Sequence, residues 1–218
     1  MTAIPLVIIG AGGLAREVEW IVRDMNRIEP LYEFRGYVTR DDGTPGPHDS
    51  KTPIFGPERE LANLTKGWAA VVGIGDPIAR RAVAKRISAH FPQLAFPAIV
   101  HPSVVLDRET CELGAGVIVC PGSVVTVNVS LRPFCCINYG VTVGHEATVG
   151  QFSVVNPNAS IGGGVVIGEA CLIGTGAHVL QYLTIGDGAV VGAQAAVTKP
   201  VAAGAVVVGV PARPRASR

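Results

Sequence analysis

Among the residues able to do chemistry in this sequence, one adjacent pair stands out: His145 and Glu146, in the stretch Asn-Tyr-Gly-Val-Thr-Val-Gly-His-Glu that begins at Asn138. A neutral imidazole can take a proton from an attacking amine or hydroxyl near pH 7. A carboxylate beside it can orient the ring and favour the imidazolium form. On residue type alone, a surface histidine on a turn is the plainer reading. Asn138 could hydrogen-bond a bound acceptor or simply occupy a turn. His178, between Ala177 and Val179, and His101, in Val-His-Pro-Ser, read as turn residues with structural or solvent roles. Five cysteines, with Cys135 and Cys136 adjacent and no Cys-x-x-Cys spacing, predict reduced thiols in a cytoplasm rather than disulfides or a metal site. A thiol nucleophile is not expected.

The second feature with chemical content is the glycine turn Gly10-Ala11-Gly12-Gly13-Leu14-Ala15, which follows the apolar run Ile4 to Ile9. It precedes a helix-like stretch from Arg16 to Met25, so its backbone amides could hold a phosphate at a helix N-terminus. The pattern also fits the dinucleotide fingerprint, a weak signal alone. That fingerprint expects an acidic ribose ligand further on. The chain offers Thr39 and Arg40 there, with Asp41 and Asp42 beyond. Three readings stay open: a nucleotide-sugar phosphate site, a purely structural turn, and an NAD site.

The elements that must position these residues are set by a repeat. Stepping six residues from Leu113 gives Val119, Val125, Leu131, Ile137, Val143 and so on to Val197, fifteen positions that are all Leu, Ile or Val. Gly or Asn often follows the aliphatic, as at Gly114, Asn138, Gly144 and Gly162, where turn conformations are tolerated. Four residues after it comes a small or apolar side chain, such as Ser123, Cys135, Ala147 or Ala159. A period of six is neither helical nor plainly alternating. It predicts short strands joined by turns on three flat faces, an 18-residue coil whose aliphatic columns stack about 4.8 Å apart. Leu113, Leu131, Val149, Ile167 and Ile185 then form one column. The seven-residue step from Leu106 to Leu113 predicts a one-residue bulge, and Gly204 to Pro211 a last strand and turn. His145 falls at a corner of this prism.

Before the repeat, Phe34 to Val38 and Ala69 to Ile74 read as further strands and Pro77 to Ala89 as a helix. The result is a small α/β unit of about three parallel strands. Charge is nearly balanced, with a formal net charge of +1, which argues against a nucleic-acid partner. Arg213, Arg215 and Arg218 read as a solvated basic tail. No apolar run reaches the roughly 18 residues needed to cross a membrane. Ile4 to Ile9 lacks a basic leader and reads as a buried strand, not a signal peptide.

Taken together, the glycine turn, the Val-Val-Gly-Ile-Gly-Asp-Pro segment from Val71, the hexapeptide array around His145, and the closing Gly-Val-Pro-Ala-Arg-Pro resemble a known family. They are similar to sialic acid O-acetyltransferases of the NeuD type and, equally, to nucleotide-amino-sugar N-acetyltransferases of the PglD type. The resemblance implies an α/β Rossmann-like nucleotide-sugar-binding unit over residues 1–97 and a left-handed parallel β-helix over 98–218. It further implies a homotrimer with acetyl-CoA between adjacent β-helices, and no metal. By the same resemblance His145 is the general base, supported by Glu146. Gly12, Gly13, Leu14, Gly75, Asp76 and Asn138 meet a nucleotide-linked amino sugar. Gly163 supplies an oxyanion amide, and Thr175 and Ala193 line the acetyl-CoA groove. The chain departs from the family pattern at Leu14 and Val154, where many members carry histidine, and at Thr39-Arg40, often Asp-Asp. The implied reaction is direct N-acetylation of an activated amino sugar. The alternatives are sugar O-acetylation, acetylation of serine or a small amine, and a non-catalytic regulatory trimer. A zinc enzyme of the γ-carbonic-anhydrase kind would need three histidine ligands, more than this chain places suitably.

Overall fold

The computed structural model describes residues 3–40 and 53–215; Asp41, Asp42 and Arg218 lie outside the described residues. Four parallel strands form the N-terminal sheet: β1 (Ile4–Ile9), β2 (Tyr32–Thr39), β3 (Ile54–Pro57) and β4 (Ala69–Val72), in the order β3-β2-β1-β4. Helices α1 (Gly13–Ile28) and α2 (Pro77–His90) pack on it. α1 begins earlier than the sequence suggests, because Gly12 serves as an extended N-cap and the glycine turn itself supplies the first helical turn. β4 stops at Val72 rather than Ile74. Gly73 turns there beneath α1, and a Cβ on it would stand 2.7 Å from the Ala15 backbone. β3 was not anticipated, since its Ile-Phe-Gly-Pro sequence looks like a loop. It fits because Gly36 (φ 132) leaves room: a Cβ there would lie 2.7 Å from Phe55 N and Pro53 O.

From Ile99 onward the chain winds into a left-handed parallel β-helix of two-residue strands. Pairing is at the 18-residue offset the repeat requires, as in Leu131 with Leu113 and Val149, and Ile161 with Val143 and Val179. Three faces result. In one coil they are Cys136–Ile137 (first face), Thr142–Val143 (second face) and Thr148–Val149 (third face). The aliphatic columns and the small corner residues Cys135, Ala147 and Ala159 make one buried core that belongs to the β-helix alone. Each fully buried Val or Ile contributes about 1.5–3 kcal/mol. The extra residue of the seven-residue step lies in a corner, not in a strand. There Asp107 accepts hydrogen bonds from Glu109 N–H (3.1 Å) and the Thr110 hydroxyl. The strand expected between Gly204 and Pro211 is Val206–Val208, but it is not the last, being followed by a short antiparallel one, Arg213–Pro214.

The two parts share a largely apolar interface. Ala15, Val18, Ile21 and Val22 of α1 pack on the outward side chains of the first face, Ile118, Cys136 and Val154. Phe134 and Phe152 project from the adjoining edge against Val72 and Ala84. Arg80, fully buried on α2, ties the parts together: its Nε donates to Phe134 O (2.5 Å) and its Nη1 to Val72 O (2.6 Å) and Ile74 O (3.1 Å). His101 is indeed structural. Its Nδ1 accepts Ser103 N–H (3.0 Å), and Nε2 faces Asp24 of α1 at 3.3 Å. His178 is not on a turn, as the sequence suggested, but on strand His178–Val179, pointing outward from the second face.

Candidate active site

His145 projects from the edge between the second and third faces, half exposed. Its Nδ1 lies 3.2 Å from Glu146 Oε2. Glu146 holds φ 61, a left-handed conformation that turns its side chain back to the ring. A donor at Nδ1 leaves Nε2 as the basic nitrogen. That nitrogen faces the next coil. A Cβ placed on Gly163 would stand 2.5 Å from both Cε1 and Nε2 of His145, so only glycine lets the ring lie there. The segment is pinned on both sides: Gly164 N–H donates to His145 O (2.7 Å) and Tyr182 N–H to Gly163 O (2.9 Å). The Gly163 N–H itself is taken up by no carbonyl of the described residues. A proton acceptor and an unpaired, preorganised amide thus sit side by side, the pairing needed for attack on a carbonyl.

The other residues singled out from the sequence separate into two places. Asn138, Thr175 and Ala193 lie on the edge between the first and second faces, one face away from His145 and Gly163. Asn138 is only 8% exposed, and its Nδ2 donates to Asn156 Oδ1 (3.3 Å) in a ladder that continues the turn. Thr175 and Ala193 are exposed one above the other, joined by the Gln194 N–H to Thr175 O bond (2.9 Å). Between the two edges the second face presents Thr142, Ser160 and His178, with the Thr142 hydroxyl donating to Ser160 Oγ (3.0 Å).

The remaining residues cluster at the carboxyl ends of β1 and β4, where the strand order reverses. Gly12 caps α1, and Gly13 opens it. Across the crevice Gly75 precedes Asp76, which caps α2 by accepting Ala79 N–H (2.8 Å). The two turns touch through Gly73 N–H to Ile9 O (2.9 Å). Open sheets of this kind bind ligands at such a reversal. Leu14 is drawn instead into the apolar interface with the β-helix. A cavity of about 290 Å³ adjoins, lined by Gly10, Ala11, Thr39, Arg40, Glu58 and Arg86 among others. Arg86 grips Glu58 with two bonds, 2.9 and 2.7 Å. Nothing local in the sequence marked that pair, since it joins α2 to the turn after β3.

Burial pushes the Cys135 and Cys171 thiols up from their ordinary range, which removes them as nucleophiles. Among the described residues no group of three or more His, Cys, Asp or Glu could hold a metal, and no helix is long and apolar enough to cross a membrane.

Comparison with known proteins bears on this arrangement. The PglD N-terminal domain family matches residues 5–87. No curated protein sequence matches the chain. Among solved structures, the acetyltransferase domain of PglB from Neisseria gonorrhoeae, in complex with acetyl coenzyme A, is 28% identical with a TM-score of 0.87, covering 98% of this chain and 100% of that one. A variant of the GDP-perosamine N-acetyltransferase of Caulobacter crescentus, in complex with CoA and GDP-perosamine, is 26% identical with a TM-score of 0.86, covering 98% and 97%. WeeI from Acinetobacter baumannii is 29% identical with a TM-score of 0.83, covering 98% and 100%. With its N-terminal unit, its β-helix and its length all matched in this way, the chain is similar throughout to sugar acetyltransferases of the PglD and NeuD type and is an acyltransferase.

Proposed function

We propose that the protein transfers acetyl from acetyl-CoA to the amine of a nucleotide-linked sugar, in the cytoplasm, as a homotrimer. One observation carries this reading: the basic Nε2 of His145 lies against Gly163, whose N–H is unpaired. The thioester would supply the electrophilic carbonyl. Gly163 N–H holds the oxygen that becomes negative, while His145 Nε2 takes the proton from the attacking amine. The same Nε2–H then protonates the departing thiolate. Glu146 keeps Nδ1 protonated throughout and balances the imidazolium charge. Atoms and charge are conserved with no metal and no acyl-enzyme.

The acceptor's diphosphate would rest at the α1 N-terminus over Gly12 and Gly13, near Leu14, with Gly75 and Asp76 across the crevice and Asn138 near the sugar. Residues 1–97 then bind the nucleotide sugar, and 98–218 bind acetyl-CoA and perform the transfer. The trimer is proposed because Thr175 and Ala193 stand on a different edge from Gly163. A groove between two prisms brings one copy's edge opposite another's, so both sets can touch a single acetyl-CoA. Five free thiols suit a reducing compartment. The relatives that bind CoA and GDP-perosamine support an amine acceptor over a hydroxyl.

The test is thiol release from acetyl-CoA with a panel of UDP-, GDP- and dTDP-linked amino sugars, beside free sugars and serine. Release with one nucleotide-linked amino sugar is expected. Release with none of them overturns the acceptor, and sedimentation as a monomer overturns the shared groove.

A further inference from the structure

The second face differs from the other two in what it does not carry. Its outward side chains run Val105, Val124, Thr142, Ser160, His178 and Ala196 up the prism. Between Leu113 and Val197 the sequence holds only four residues of the Asp, Glu, Lys and Arg types. Arg132, Glu169 and Asp187 stand on the edge between the third and first faces, and Glu146 stands beside His145. The second face and its border with the first have none. Exposed apolar side chains gather there instead, with Val105 on the face, Val127 and Leu180 along one border and Tyr139 along the other. An exposed patch of this composition marks a surface made for association.

The occupant follows from the shared groove. The edge with His145 and Gly163 borders the second face on one side, and the edge with Thr175 and Ala193 borders it on the other. Where one copy's first edge meets a neighbour's second, rotation repeats the contact around a closed ring. In every copy the face lying between the two edges is then turned toward the axis of that ring. A surface on an axis meets rotated copies of itself, where a fixed charge would face its own kind, so the absence of charge fits that place. Room near an axis is short, and the side chains of Thr142, Ser160 and Ala196 are short. His178 is the exception. It is exposed, its ring has no partner among the described residues, and it is the one side chain on this face able to gain a charge near neutrality.

We propose that three copies turn their second faces to a common axis, where the three His178 imidazoles meet and close a ring of hydrogen bonds. A neutral imidazole carries one donor and one acceptor, so each of three around a threefold axis can give one bond and take one. A proton added to one ring replaces its acceptor by a second donor and breaks the cycle, and further protons set like charges together. Assembly, and with it the groove shared by two copies, is thereby made sensitive to acid. This rests on the reading of the protein as a trimer. The bordering groups that also titrate or carry charge are Tyr139 on one side and His145, Glu146 and Tyr182 on the other, with Lys199 higher on that edge. Ser160 and Ala196, beside His178 in register, are neutral.

Sedimentation of the full chain over a range of concentrations tests the proposal. The parent should run as a trimer at about pH 8 and dissociate at least about tenfold more readily at about pH 5.5. His178→Thr, which extends the short ladder of Thr142 and Ser160, should stay trimeric at both values and so separate His178 from His145. His178→Lys, which fixes three positive charges on the axis, should dissociate at least about tenfold more readily than the parent at about pH 8. Val166→Lys, on the third face, should sediment as the parent does. Both positions are exposed in the single chain, so both lysine variants should keep the parent's circular dichroism. A parent that sediments as a monomer overturns the trimer itself. Four results would overturn the axial ring alone. They are a trimeric parent whose mass ignores acid, acid sensitivity retained in His178→Thr, equal behaviour of His178→Lys and Val166→Lys, and loss of the folded spectrum in His178→Lys, which would make the side chain part of single-chain packing.

Discussion

Val154 and Val166 are the same residue at the same place in the repeat, twelve positions apart, both pointing outward from a strand. Val154 is fully buried, whereas Val166 is 45% exposed. The difference comes from what lies over each face. α1 covers the first face with Ala15, Val18 and Ile21, while nothing of the described chain lies on the third. A repeat thus builds its own core identically on all sides. It leaves to the rest of the chain which outward side becomes interface, and the exposed edge opposite that interface is where His145 stands half exposed.

That contrast can be broken or sharpened by experiment. The largest effect should come at the free edge and fall on rate alone. His145→Ala should lower kcat by about 10²–10⁴-fold and leave the melting temperature within about 1 °C, read by thiol release and calorimetry. Retained activity would remove the base from the mechanism. Next come the paired faces. Val154→Asp should cost about 3–5 kcal/mol by burying an unpaired charge, and Val166→Asp should stay within about 0.5 kcal/mol. Equal losses in urea melts would mean the third face is also covered. Arg80→Ala should cost about 2–4 kcal/mol, because three carbonyls lose a buried donor.

The smallest effect concerns Glu17 on α1, whose carboxyl is raised above its ordinary range mainly by burial, with Arg16 opposing. The folded chain therefore keeps that proton to higher pH than the unfolded chain does. Stability falls as pH rises from the ordinary carboxyl value through the raised one, and the deficit remains at neutrality. Glu17→Gln should melt about 1–2 °C higher at pH 7, and the gain should vanish near about pH 3.5. A gain that persists in acid would assign it to something other than ionisation.

The placement of several candidate-site residues was legible before the structure. His145 could be placed on a corner because Val143 had to point inward, and Gly163 could be placed one coil above it because 18 residues make a turn of the prism. The contact between the two was not legible, since no local signal says that an imidazole fills the space a Cβ would take. β3 escaped notice for a related reason. Its strand character comes from Gly36 on β2 admitting a close neighbour, not from its own sequence. The pair Glu58 and Arg86, and the tie from Arg80 to Phe134, join positions 28 and 54 residues apart and carry no periodic mark.

What the sequence by itself determined is everything that recurs with a fixed step: the inward columns, the corner residues and the stacking of position n over n − 18. Periodicity of that kind is a local property, and burial of the aliphatic positions enforces it coil by coil. Only the tertiary structure decided which outward residues are covered and that Leu14 belongs to an interface. Those outcomes depend on where a separate α/β unit docks, and docking is a match of surfaces that no spacing along the chain encodes.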